Sequence, residues 1–224
     1  IVNFTDYASV ADGIGEDIGF SDRGRSLLDV ERNIPQPLEG NPGNIFLDDQ
    51  NVIIDIPSEA DGAVSWKLID DNEQVVASGD ISGTGEANIG QPGIGWYWLS
   101  FVDETDTEVY HTTAGVLAEL GAPVPQDSPV CVDMATSWFY FTTEDWEAYA
   151  NIATLAGINV GRDRLKWREI EPYRDSYEED LKYDEAAQIQ TDMGLKVLQV
   201  FHDRPWGSPK YGEPFPQDVR ELYK

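Results

Sequence analysis

From Asn51 onward, apolar and polar residues alternate in short runs bounded by turn residues. Asn51-Val52-Ile53-Ile54-Asp55-Ile56 predicts a strand stopped by Pro57, and Ala63-Val64-Ser65-Trp66-Lys67-Leu68-Ile69 predicts a second. The second turns through Asp70-Asp71-Asn72 into Gln74-Val75-Val76-Ala77. Gly95 to Val102 pairs with Glu108 to Thr112 across the residues from Asp103 to Thr107. Successive strand side chains point to opposite faces, so such alternation marks sheets with one buried side. Several short strands at this spacing predict an antiparallel β-sandwich of immunoglobulin-like architecture, without the cysteine pair of antibody domains. Upstream, residues 1–50 are rich in Asp, Gly, Asn and Pro and show little periodicity. They predict short strands and long loops leading into the apolar Ile45-Phe46-Leu47.

The pattern changes after residue 129. Val130-Cys131-Val132-Asp133-Met134 predicts a strand, and Thr143 to Ala156 has helical periodicity. Gly157 to Arg164 is a second strand, Tyr183 to Met193 a second helix, and Lys196 to Phe201 a third strand ending in His202-Asp203. Strands alternating with helices of this length mean parallel βα units. Thr142 and Thr143 suit a helix N-cap, Glu144 and Asp145 favour its positive end, and Gly157 suits its stop. Pro216 suits the first turn of a final helix over 218–223.

Residues 118–129 form a Pro-rich connector, which divides the chain into a loop-rich sandwich (1–117), a linker (118–129) and a βα region (130–224). A complete (β/α)₈ barrel takes about 250 residues. The 95 residues after Pro129 hold two βα units, a third strand and the start of its helix. The expected fold is therefore multidomain: a β-sandwich followed by the opening of an incomplete TIM barrel.

Charge narrows the partners. The chain has 42 acidic and 15 basic side chains, for a net charge of −27. A surface this negative repels nucleic-acid phosphates and anionic membranes, so neither is expected as a partner. No apolar run is long enough for a membrane helix. The start, Ile-Val-Asn-Phe-Thr, lacks a charged-then-apolar signal region. That suits a processed or trimmed N-terminus, and with the acidity it suits an extracellular or periplasmic protein. The lone Cys131 excludes an internal disulfide and predicts a buried, inert thiol; no spacing resembles a zinc site, and no cofactor is expected.

Polar residues just past the C-terminal ends of barrel strands are where such folds carry chemistry. Gly157-Ile158-Asn159-Val160-Gly161-Arg162-Asp163-Arg164-Leu165-Lys166-Trp167, with Ile170-Glu171-Pro172 and Tyr183-Asp184, resembles the second-strand region of clan A glycoside hydrolases. Val197 to Trp206 is similar to their third strand and following loop, and the nearest likeness is to the family 39 and family 5 type. The resemblance implies two catalytic carboxylates, after strands four and seven, about 5–5.5 Å apart in retaining enzymes. Neither strand falls within this sequence, so no catalytic residue is expected in it. Asn72-Glu73 is the sole Asn-Glu pair and sits in a predicted turn.

What remains is a substrate rim. The resemblance implies that Arg162 orients the nucleophile, which a guanidinium does by holding a carboxylate bidentately. The competing reading is a salt bridge to Asp163 or Glu171. Arg164 shares its strand parity and is a second-tier candidate for substrate contact, though bracing the loop fits it better. His202 and Asp203 can bond sugar hydroxyls, or tie down a neighbouring loop. Trp138, Trp206 and Trp167 offer flat faces for the apolar side of sugar rings, against the usual fate of core packing. Glu171, before Pro172, suits loop shaping more than acid catalysis.

Other candidates are weaker. Asp103 to Glu108 offers oxygens for calcium, but a solvated hairpin turn fits better. His111 has no evident partner in the sequence. The leading expectation is the N-terminal portion of a secreted glycoside hydrolase acting on an oligo- or polysaccharide, with its missing barrel half or another chain covering Val197 to Phe201. The alternatives are a non-catalytic carbohydrate-binding or assembly protein, and a polysaccharide lyase.

Overall fold

The computed structural model describes residues 30–81, 83, 85–139, 142–173, 176–178 and 181–203. The readings made above for residues 1–29, for Trp206 and for the helix over 218–223 lie outside the described residues. The chain divides into two compact units: residues 34–123, and residues 124–203 together with 30–33.

In the first unit, seven strands form two sheets: β1 (Ile45–Leu47), β2 (Val52–Asp55), β3 (Ser65–Ile69), β4 (Val75–Asp80), β5 (Glu86–Gly90), β6 (Gly95–Val102) and β7 (Glu108–Leu117). One sheet runs β1-β7-β6-β3-β4, and the other pairs β2 with β5. The antiparallel pairing of Gly95–Val102 with the strand from Glu108 is as the alternation predicts. β1 departs from it, because it lies parallel to β7 and makes the larger sheet mixed. The cause is local: Asn41 and Asn44 take left-handed φ values of 47° and 56°. Their amides donate to Ile45 O at 2.7 Å and Thr113 O at 3.0 Å, which steers the incoming chain beside β7. β5 carries only Ala87 and Ile89 as apolar residues, too weak a pattern to announce a strand.

The two sheets share one apolar core. Trp66, Leu68, Leu99, Phe101, Ala114 and Val116 from the larger sheet meet Val52, Ile54 and Ala87 from the smaller. Gly79 is fixed by this packing, since a Cβ there would stand 2.7 Å from the Trp66 ring. Both hairpin turns use one device. Asp70 accepts from the backbone N–H of Asn72 and Gln74 at 2.9 and 2.8 Å. Asp103 accepts from those of Thr105 and Thr107 at 2.8 and 3.0 Å. These are Asx-type turns, and the acidic run from Asp103 to Glu108 is a hairpin.

The second unit holds three parallel strands, β8 (Cys131–Asp133), β9 (Val160–Lys166) and β10 (Lys196–His202), in the order β10-β9-β8. Between them lie helices α1 (Thr136–Phe139), α2 (Thr143–Leu155), α3 (Trp167–Ile170) and α4 (Lys182–Asp192). Thr142 caps α2 by accepting from Asp145 N at 3.2 Å. On β9 every second residue is buried: Gly161, Asp163 and Leu165. The helices contribute Ala150 and Ala153, which pack with Leu195, Met134 and Ile158. Cys131 corrects the sequence reading, for it is exposed. It sits on a three-residue edge strand whose residues are all exposed, so an apolar neighbourhood in sequence did not become a buried one.

Candidate functional site

Register decides which side chains meet. In the parallel sheet Asp133 stands beside Arg162, Leu198 beside Arg162, Val200 beside Arg164, and His202 beside Lys166. With alternation along each strand, Asp133, Arg162, Arg164, Lys166 and His202 share one face. The opposite face of β9 turns Asp163 into the interior.

Asp133 organises the polar face. Arg162 Nη1 and Arg164 Nη2 both donate to its Oδ2, each at 2.7 Å. The bond from Arg164 is the largest influence on this carboxyl and, with the two positive charges, holds it below the usual aspartate range. The salt-bridge reading of Arg162 thus named the wrong partners. Asp163 faces away by parity, and Glu171 accepts from Trp167 Nε1 at 2.7 Å. The position of Asp133 at the end of the first strand, level with Arg162, was the signal that could have found it.

Nearer the strand ends the face turns aromatic. Trp138, delivered by α1, meets His202 edge-on, with ring centroids 4.6 Å apart and planes at 85°. Lys166 Nζ lies 4.7 Å from the Trp138 centroid, a cation–π contact. Lys166 also reaches Glu169 at 3.2 Å, and Lys182 reaches the same carboxylate at 3.5 Å. Tyr183 donates to Glu169 at 2.6 Å and accepts from Lys166 N at 3.2 Å. Burial, the largest influence on Glu169, would lift its pKa; the bonds from Tyr183 and Lys166 and the nearby Lys182 bring it below the usual range. Burial and the Glu169 bond push the Tyr183 phenol upward.

Of the residues singled out in the sequence, Arg162 and Arg164 converge on Asp133, and Trp138 meets His202. Asp203 is engaged by Arg168 at 3.0 Å, and Trp167 by Glu171. Sequence reasoning missed Asp133, Lys166, Glu169, Arg168 and Tyr183. It also missed the scaffold behind the site: Asp163, 2% exposed, accepts from Ser137 Oγ at 2.8 Å, Gln190 Nε2 at 2.9 Å and Arg164 N at 2.8 Å. That carboxylate ties α1 and α4 to the arginine strand.

Two residues just past strand ends hold left-handed backbone, Ala135 at φ 48° and Asp203 at φ 69°. Such conformations cost about 1 kcal/mol or more and gather at functional sites. The N–H groups of Met134 and Ala135 both donate to Arg162 O, at 3.1 and 3.2 Å, which secures that bend.

Chemically the face can bind. It presents guanidinium and ammonium donors, an imidazole and an indole at one sheet end. Asp133 and Glu169 are held below their usual range by hydrogen bonds and neighbouring cations, which makes these two carboxylates poor proton donors at neutral pH. Among the described residues no group of three His, Cys, Asp or Glu side chains could hold a metal ion. A polar groove of about 320 Å³ lies in the other unit, lined by Asn41, Asn44, Asp55, Tyr110 and Thr112 among others.

No family model and no curated protein matches the sequence. Among solved structures, the chain is similar to a family 39 glycoside hydrolase from the gut symbiont Bacteroides cellulosilyticus WH2, at 20% identity and a TM-score of 0.54. The likeness covers 86% of this chain and 38% of that one. It is a likeness of fold, a glycoside hydrolase-like arrangement of mixed sheets and few helices.

Proposed function

We propose that this chain is the N-terminal portion of a secreted glycoside hydrolase: a β-sandwich accessory domain followed by the first βα units of a (β/α)₈ barrel, acting on an oligo- or polysaccharide. The observation that carries the reading is the convergence of Asp133, Arg162, Arg164, Lys166, Trp138 and His202 on one face, toward the C-terminal ends of three parallel strands. In barrel enzymes that end of the sheet is where substrate binds. The fold likeness to a family 39 enzyme supports it over less than half of that enzyme's length.

In this reading Asp133 pins the two arginines while their other N–H groups orient a catalytic carboxylate or a sugar oxygen. His202 bonds a hydroxyl, and the indole of Trp138 borders the sugar ring. The carboxylates that cleave the glycosidic bond, by the retaining mechanism, belong to barrel strands beyond this sequence. Those strands, or another chain, would cover the open sheet around Leu198, which is 44% exposed.

Calorimetric titration of the 224-residue chain with xylo- and cello-oligosaccharides tests the proposal. The expected result is weak binding without release of reducing sugar. Trp138→Ala should weaken it by roughly tenfold, the value of one aromatic contact. Binding indifferent to Trp138→Ala and His202→Ala would remove the site. Turnover by this chain would overturn the placement of the carboxylates.

A further inference from the structure

The outer face of the five-stranded sheet carries an aromatic surface that the core does not use. On β6 the residues Tyr97, Leu99 and Phe101 point inward and are 7%, 0% and 0% exposed. The intervening residues Trp96 and Trp98 therefore point outward, and Trp96 is 53% exposed. His111 on β7 stands opposite Ser100 and stacks on Trp98, with centroids 4.1 Å apart and planes at 28°. Trp96 adjoins Trp98 at 6.4 Å. Three rings thus form one cluster across two strands, with Trp98 and His111 face to face and Trp96 tilted against Trp98.

The rings are also anchored. Glu108 accepts from Ser100 Oγ at 2.5 Å and from His111 Nδ1 at 2.8 Å. The carboxylate therefore fixes the imidazole by its edge, the imidazole stacks on Trp98, and Trp96 is the ring most open to the surface. Single exposed aromatics are ordinary, but contiguous ones held by a polar network are the preorganised kind of surface that ligands use.

We infer that this face is a second carbohydrate-binding surface, separate from the strand-end site, and that it takes an uncharged polysaccharide. Aromatic faces stack on the C–H side of sugar rings, while Glu108 and His111, both about half exposed, border them with polar atoms. Charge selects within the class: residues 34–123 hold 16 acidic side chains and one basic, Lys67, which is paired with Asp106. Anionic glycans and nucleic acids are repelled from such a surface. A basic peptide is the alternative that this charge would also attract, and competition by poly-lysine decides between the two. The inference leans on the proposed hydrolase only for its choice of glycans over other uncharged ligands.

Affinity electrophoresis of the 224-residue chain tests it, in native gels cast with hydroxyethylcellulose, arabinoxylan or galactomannan. Alginate serves as the anionic control, and poly-lysine as a competitor. At least one neutral polysaccharide should retard the chain, and Trp96→Ala should raise the apparent Kd by roughly tenfold while Trp96→Phe retains most of the binding. In a Trp138→Ala background, where the strand-end site is already weakened, Trp96→Ala should still raise the apparent Kd by roughly tenfold, which separates this surface from the strand-end site. The inference fails if no neutral polysaccharide retards the chain, or if Trp96→Ala binds like the parent. It fails equally if Trp138→Ala alone abolishes retardation, if alginate is preferred, or if poly-lysine displaces the glycan.

Discussion

The two units treat polar groups in opposite ways. In residues 34–123 the interior between the sheets is apolar, with Leu68, Leu99 and Phe101 fully buried. In the parallel-sheet unit the most buried positions include Asp163, Gln190, Ser137 and Thr136. Its other sheet face is crowded with arginine, lysine and histidine. A core held by apolar area specifies shape and is tolerant in detail; a core held by a saturated carboxylate specifies positions and is intolerant of losing one atom. The second kind of interior suits a sheet that must aim Arg162, Arg164 and Lys166 in fixed directions.

The hardest test of that contrast is a cavity in the apolar core. Phe101→Ala removes a fully buried ring that packs near Tyr110, with centroids 6.1 Å apart. Such truncations cost about 3–5 kcal/mol, so chemical denaturation should show a large drop in midpoint. A loss under about 1 kcal/mol would mean that the sheets close on the gap.

Asp163→Ala probes the other interior. It removes the acceptor shared by Ser137, Gln190 and Arg164 N in a buried site, leaving Ser137 Oγ only Arg164 O and Gln190 Nε2 only Ala186 O, both at 3.2 Å, at a cost of about 2–3 kcal/mol. Asp163→Asn, which keeps the shape and one acceptor, should recover part of that. The contrast predicts a second signature: Asp163→Ala should also disturb the Arg162 and Arg164 resonances, because Arg164 N donates to the same carboxylate. Unchanged arginine signals would reduce Asp163 to a stability element.

These pairs show what could be read from the sequence. The nearly continuous apolar runs in Gly95–Val102 and from Lys196 announced their strands, since burial on one or both faces writes itself into neighbouring residues. β1 and β5 were illegible because their pairing is set by backbone geometry at Asn41 and Asn44 and by a partner strand, not by their own composition. The strand-end site was half legible. Trp138 and His202 sit at or just past strand ends, a position readable from periodicity, whereas Arg162 lies within β9. Asp133 and Glu169 become partners of those residues only through register and helix placement, which no spacing encodes. Cys131 was misjudged because apolar neighbours do not reveal that a strand lies at an edge.

A smaller effect should follow from Tyr183→Phe. The phenol accepts from Lys166 N and donates to Glu169, so its loss removes two bonds around a residue 2% exposed. A net cost of about 1 kcal/mol is expected, because one hydrogen bond is worth about that much and Lys166 and Lys182 still hold Glu169. Denaturation midpoints of the two proteins at neutral pH measure it. A neutral substitution would show that the lysines alone position Glu169.

The smallest effect belongs to Asp133, whose side chain is 41% exposed and whose bonds to Arg162 and Arg164 face solvent. Exposed pairs contribute little, so Asp133→Asn should barely change stability at neutral pH. Its pH dependence is the sharper observable. The folded carboxyl lies below its ordinary value, so its contribution is complete above the unfolded value of about 3.9 and is lost as pH falls through the folded one. The parent and Asp133→Asn should therefore differ by a constant amount from pH 7 down to about 5 and converge in acid below about 4. The arginine Nε–Hε resonances of the parent should shift over the same acid range as the grip on Asp133 is released. A gap that stayed constant into acid would mean that the carboxylate is not what holds the two guanidinium groups, and the site would lose its anchor while the buried network behind it stood.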